Sequence, residues 1–432
     1  MINSHTSEYY HKFHGACLVE YLSEKDKQDA RVNRILLFFL LFALLVFFAF
    51  SRPIFAQQPQ QENTKIVQSL SKQTEFETRI KQKYYGATIN FPTKGIAHIK
   101  KIKYINSKPV KINIVEINTS VNPYLKVKPQ TASKQKLNSK ATVRRIAQRG
   151  NGIVAINAGF FKPQTGVPLG ALMIDNKILS GPIYNRVGIA IFENEGKTSF
   201  KLDNINFDIK AINKGGEIKI DNINQPRMLS TYKLLYTKAW GEFSPVAPKN
   251  CYNMLIENEK ITKISANPIE LSENKIVIQA PKETIQAIGK YKDVKIEINV
   301  QESLKGAKHI IGAGPYLVKD GEIFVDYKTE KFQAIQGKNP RSAIGFNEDN
   351  LIIVTVDGRE KKSVGMTLFE LAKLMKDLDC KEAMNFDGGS SSALYVNKKI
   401  VNSAINKEGI AVSNALVISE NDPFEMKLSS LN

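Results

Sequence analysis

The densest chemistry in the chain is Asn385-Phe386-Asp387-Gly388-Gly389-Ser390-Ser391-Ser392. An amide and a carboxylate stand two residues apart, which on a continuing strand puts them on one face. Gly388 and Gly389 let the backbone turn sharply and let a ligand come close. Successive N–H groups in such a loop can form a nest for an anion. A plain hairpin turn is the competing reading, because Asp-Gly is a strong hairpin signal. A second stretch, Asn157-Ala158-Gly159-Phe160-Phe161, ends an apolar run with an amide, a glycine and two aromatics. It reads either as a strand-end turn with core aromatics, or as a ligand-binding amide beside an aromatic wall suited to a sugar's apolar face.

Several elements must position these groups. Val110, Ile112 and Ile114 alternate with polar residues, as in a half-buried strand. Ala141 to Arg149 reads as a short basic helix stopped by Gly150, and Ile153 to Ile156 as a buried strand ending at Asn157. Short strands separated by Asn, Gly and Pro turns fill residues 181–300. Further on, Asn339-Pro340-Arg341 leads into the strand-like Ala343-Ile344-Gly345, and Leu351 to Val356 is a buried run ending in Asp357-Gly358-Arg359. Thr367 and Glu370 form a capping box. The helix they open carries Leu368, Leu371, Ala372, Met375 and Leu378 on one face. If the strands flanking this helix are parallel, Asp357 and Asp387 reach the same sheet edge, where such units bind ligands. The expected class is α+β: β-rich mixed sheets, a few helices, and one strand–helix–strand unit near the C-terminus.

The composition sets bounds. The chain has 432 residues, 42% hydrophobic and 24% charged, as in an ordinary globular protein. A net charge of +19 suggests an anionic partner, but the lysines are scattered rather than clustered, and a solvated lysine-rich surface accounts for most of them. Nucleic acid is therefore not an expected partner. Of the 5 histidines, His5, His11 and His14 precede the expected domain. His98 and His309 sit in no metal-spacing pattern, and no metal or cofactor is expected. Cys251 and Cys380 form either one disulfide or two free buried thiols.

Arg31 and Arg34 precede the unbroken apolar run Ile35 to Phe50. That reads as an export signal cleaved near Ala56 or as a retained signal anchor, with the remainder outside the cytoplasm. The expected layout is a cytoplasmic n-region and signal over 1–56, a polar linker or helix over 57–90, one domain over 91–420, and a tail over 421–432. The chain would be exported to the periplasm or cell exterior, touching membrane only through residues 35–50.

Taken in order, Asn157 to Phe161, Gly312 to Gly321, Asn339 to Gly345, Val356 to Arg359, Ser363 to Ala372 and Asn385 to Ser392 resemble the phosphodiester glycosidase family, over roughly residues 90–420. The family usually has three glycines where this chain has Gly388-Gly389-Ser390. It commonly has an arginine upstream of Val412-Ser413-Asn414, where this chain has Ile410 or Ala411. The resemblance implies cleavage of a sugar C1–O bond to phosphate. Positive charge then builds on the sugar, which carboxylates can manage, and arginine can hold the phosphate through two bonds. On this basis Asp387 is the expected nucleophile or base, and Asp357 its partner or the group orienting an arginine. Arg341 and Arg359 would bind phosphate. Asn157 and Asn385 would bind sugar hydroxyls or phosphate oxygens, with Gly388, Gly389 and Ser390 completing the substrate contacts. No base stands near Ser390 to make it a nucleophile. The expected substrate is a sugar phosphodiester or anionic polysaccharide; the alternative is a non-catalytic binder of anionic cell-surface glycans with the same fold.

Overall fold

The computed structural model describes residues 31, 36, 38–43, 68–194 and 196–421. The chain divides into two units, residues 1–72 and 73–432. In the first, residues 38–43 are helical. Most of the apolar run over 35–50, the cleavage point at Ala56 and the tail beyond 421 lie outside the described residues. Among the described residues, no helix is long and apolar enough to cross a membrane.

The second unit is built around an eight-stranded sheet. Its order is Thr88–Thr93, Ile96–Ile105, Lys108–Ile117, Leu351–Val356, Arg341–Phe346, Glu382–Asn385, Tyr316–Lys319 and Glu322–Ile323, with every neighbouring pair antiparallel. A five-stranded antiparallel sheet faces it: Lys399–Ile400, Leu394–Val396, Gly152–Asn157, Asn414–Glu420 and Leu125–Thr131.

Strict alternation of apolar side chains builds the layers. Val115, Ile353, Ile344 and Met384 of the large sheet meet Val154, Ile156, Leu394, Leu416 and Ile418 of the small one. The opposite face of the large sheet, with Ile112, Ile114, Val354 and Ala343, packs on the helix Leu368–Asp377. The opposite face of the small sheet, with Ala155, Tyr395, Ala415 and Val417, packs on the helix Val143–Arg149. The core is thus four layers, helix, sheet, sheet, helix.

The Leu368–Asp377 helix forms because Thr367 accepts from the Glu370 N–H at 3.1 Å while the Glu370 carboxylate accepts from the Thr367 N–H at 2.8 Å. It buries Leu368, Leu371, Ala372, Leu374 and Met375. Cutting Leu371 back to alanine would open a cavity under it, at a cost of about 2–5 kcal/mol. Residues 73–83 are also helical and add Phe76 and Ile80 to the same layer. Beneath them the buried Glu116 carboxylate takes bonds from Lys83 at 2.7 Å, Arg79 at 3.4 Å and the Tyr84 hydroxyl, so the charge is matched where it is desolvated.

Residues 172–312 supply further small sheets around a separate core that includes Ile209, Met254, Ile278 and Ile288. Cys251 and Cys380 are both buried free thiols. The α+β class is observed, and the helix Leu368–Asp377 does join two strands that run the same way. They are not neighbours, however: Arg341–Phe346 lies between them, antiparallel to both. Their ends still meet one edge, and the start of the intervening strand joins them there.

Candidate active site

That edge brings three chain segments together. Arg341 pairs with Val356, just before Asp357, while Asn385 pairs with Ala343. Asn157 ends its strand in the facing sheet, opposite Ala415. A cavity of about 610 Å³ opens where these ends meet. Its lining includes Arg341, Arg359, Asp387 and Gly388 to Ser391, with Phe160 and Phe161 as an aromatic wall. Lys140, Asn339, Ala334 and Ile335 also line it, as do Ile410 and Ala411.

The Asp387 loop is gripped from both sheets. Its N–H donates to the Ala158 carbonyl at 2.9 Å, and its carbonyl accepts from Asn157 Nδ2 at 2.5 Å. The Phe386 N–H donates to Ser342 and the Gly389 N–H to Pro340, each at 2.8 Å. The chain then makes a 3-10 turn over Gly389–Ser391. Gly389 has φ +60°, the left-handed region that favours glycine, and a Cβ there would lie 3.1 Å from Arg359 Nη2 and press on the guanidinium. Burial pushes the Asp387 carboxyl up to about 6, although bonds from Ser391 and Gly388 favour its ionised form. It is the one carboxylate among the lining residues.

The two arginines differ. Arg359 is exposed, and its Nε and Nη2 are oriented by Asn339 Oδ1 at 3.1 and 2.8 Å. Its left-handed backbone, φ +62°, turns the chain back after the strand. Arg341 is 2% exposed. Its Nε donates to the Met366 carbonyl at 2.9 Å, and its Nη2 donates to Ile335 and Gly337, each at 2.6 Å. Nη1 has no protein partner among the described residues. Burial, with the Arg359 charge adding to it, pushes the Arg341 guanidinium down to about 10.

Three residues expected at the site do not line the cavity. Asp357 is 3% exposed. Its Oδ1 accepts from the Ser403 N–H at 2.9 Å, its carbonyl accepts from the Ser363 hydroxyl at 2.6 Å, and burial raises its carboxyl pKa. Asn157 is a buried brace: besides holding Asp387, its Oδ1 accepts from the Ser342 hydroxyl at 2.7 Å and the Ala393 N–H at 3.1 Å. Asn385 points backwards, its Nδ2 donating to the Gly314 carbonyl at 2.9 Å. The strand stops at Asn385, so strand alternation does not carry on to Asp387, and the two side chains part.

Lys140, Ala334 and Ile335 were not foreseen. Ala334 and Ile335 come from the segment after Glu330, which is anchored by its carboxylate. Oε2 accepts from the Val187 N–H at 2.9 Å and Oε1 from the Tyr316 N–H at 3.0 Å, and burial pushes that carboxyl up to about 7. Two residues on, Phe332 stacks against Phe160 at 5.1 Å, with the Arg186 guanidinium 4.0 Å from the Phe332 ring.

Several known proteins are similar to this chain. A Synechocystis protein of no stated function shares the fold, with TM-score 0.70 and 24% identity over 78% of this chain and 64% of that one. A Burkholderia pseudomallei protein described as exported aligns with TM-score 0.62 and 19% identity over 72% of this chain and 74% of that one. The zebrafish N-acetylglucosamine-1-phosphodiester alpha-N-acetylglucosaminidase catalytic domain, auto-inhibited by its pro-peptide, aligns with TM-score 0.41 and 18% identity over 77% and 85%. In sequence, the chain is 36% identical over 119 residues to the SPbeta prophage-derived uncharacterized protein YomE of Bacillus subtilis, a match spanning 27% of this chain and only 18% of that protein. Residues 241–419, which contain Arg341, Arg359 and the Asp387 loop, match the phosphodiester glycosidase family model, and it is this family that the chain resembles.

Proposed function

We propose that the cleft is the active site of an exported hydrolase that cleaves the glycosyl–phosphate bond of sugar phosphodiesters, within a catalytic domain over residues 91–420. The observation that carries this is the Asp387 carboxyl, its pKa pushed up to about 6, in one cavity with Arg341 and Arg359. In the reaction, water attacks the sugar C1 and passes its proton to Asp387. The C1–O bond breaks, and its electrons leave on the phosphate oxygen. A phosphate is already a weak base, so it needs charge neutralisation more than protonation. Arg359 and the Arg341 Nη1 group supply that charge. Because water attacks C1 directly in a single displacement, the product sugar is inverted at C1.

Phe160 and Phe161 offer a wall for the sugar's apolar face. Asp357, held by Ser403 and Ser363, fixes the turn that carries Arg359. Asn157 holds the loop, and Asn385 bonds away from the cleft to Gly314. Ile410 and Ala411 make part of the lining apolar and help select the sugar or aglycone. Export is supported by Arg31 and Arg34 before the apolar run and by the likeness to the exported Burkholderia protein.

A chromogenic sugar phosphodiester tests the reading. Wild type should release product, and Asp387→Ala should lose turnover by about 10²–10⁴-fold with its circular dichroism unchanged. Undiminished turnover in that variant removes Asp387 from the chemistry. Saturable binding without product in wild type marks the chain as a glycan-binding module instead. The anomer released first, read by NMR, should be inverted.

A further inference from the structure

A second cavity, of about 410 Å³, lies next to the cleft and is within the size range of small-ligand sites. The two share one loop as a wall. Phe160, Phe161 and Pro163 face the cleft, while Lys162, Thr165 and Val167 face the second cavity. The loop is a closed hairpin, with the Lys162 N–H donating to Val167 at 2.9 Å and the Leu169 N–H to Phe160 at 2.8 Å.

The lining is aromatic and cationic. Trp240 meets the buried Tyr236 ring edge-on, with centroids 5.0 Å apart. Trp240 is only half-buried, and its indole N–H has no protein partner among the described residues. Arg227 is built into the floor: its Nε donates to Gln279 Oε1 at 3.0 Å, and Nη1 donates to three backbone carbonyls, including Tyr232 at 2.5 Å. Lys162 is exposed. Neither cation forms an ion pair among the described residues, and no Asp or Glu lines the cavity. The positive charge is therefore unneutralised.

We propose that this cavity binds the adjoining saccharide unit of an anionic glycan whose scissile unit occupies the cleft. This rests on the reading of the cleft as a glycosyl phosphodiester site. Trp240 would take the apolar face of the ring, with its N–H and Asn138 left for hydroxyls. Lys162 would meet the phosphate or carboxylate that the unit carries. A monomeric phosphodiester would fill the cleft alone, so chain length becomes a specificity determinant.

Trp240 is the sole tryptophan, so its emission reports this cavity. The full chain carrying Asp387→Asn is titrated with a trimer of N-acetylglucosamine units joined by 1→6 phosphodiesters, and with N-acetylglucosamine 1-(methyl phosphate). The trimer should shift Trp240 emission saturably and the monomer should not. Lys162→Gln should weaken the trimer's binding by about tenfold, the loss of one charged hydrogen bond. In the otherwise wild-type chain it should raise the KM for the trimer more than for the monomer, and Trp240→Phe should do the same. No emission change with the trimer, or equal effects on both substrates, overturns the proposal. If wild type turns over neither compound, the catalytic reading fails while the emission titration still decides this one.

Discussion

Replacing Asp387 with asparagine should make the protein more stable and nearly inactive. The carboxyl is moved from its ordinary 3.8 up to about 6 by burial. A carboxyl whose pKa is raised by folding is held protonated more tightly in the folded chain than in the unfolded one. Its ionisation therefore erodes stability as pH climbs from about 4 to about 6, and the loss is constant above that. Roughly two pH units correspond to about 3 kcal/mol. Asparagine escapes this cost but satisfies Ser391 and Gly388 less well, a loss of about 1 kcal/mol. Net stabilisation of about 2 kcal/mol at pH 7.5 should remain and should vanish or reverse at pH 4. Urea denaturation followed by circular dichroism at both pH values measures it. In the wild type, kcat/KM should rise with pH through about 6 as the base ionises. A variant equally destabilised at both pH values would refute the idea that this carboxyl is held in the cleft at an energetic disadvantage.

The other predictions concern the groups around it. Arg359→Lys keeps a point charge but loses the planar fork on Asn339, so kcat/KM should fall by about 10²-fold with the urea midpoint unchanged. Arg341→Met strands the Met366, Ile335 and Gly337 carbonyls and should cost about 2–4 kcal/mol in urea, whereas Arg359→Met should cost under ~1 kcal/mol. Asn157→Ala releases Asp387, Ser342 and Ala393 together. It should lower kcat more than it raises KM, because the residue positions the loop without lining the cavity; a change in KM alone would make it a substrate contact.

Much of the scaffold was legible because its signals are local. The capping box at Thr367 and Glu370, the buried run Leu351–Val356 and the Gly150 stop all appear where the sequence puts them. The shared edge of Asp357 and Asp387 was also readable, although the strand inserted between theirs was not, since pairing partners distant in sequence leave no local trace. Site roles were harder. An asparagine at a strand end looks the same whether it faces a ligand or braces the fold: Asn157 bonds across the two sheets to Asp387, Ser342 and Ala393, while Asn385 bonds to Gly314 beside its own strand. Ala334 and Ile335 gave no signal, because the anchoring of Glu330 to Val187 and Tyr316 places them at the rim, and neither did Lys140, which is held there by the Pro163 carbonyl.

The cleft sits where the ends of two stacked sheets meet, and Asn157 is the stitch across that seam. A slip of one sheet over the other by a fraction of a strand spacing would break the hold of Asn157 and Ala158 on the Asp387 loop while leaving each sheet's own ladder whole. Catalytic output should therefore act as a gauge of inter-sheet alignment, fading under mild denaturant or heat before the bulk of the secondary structure responds.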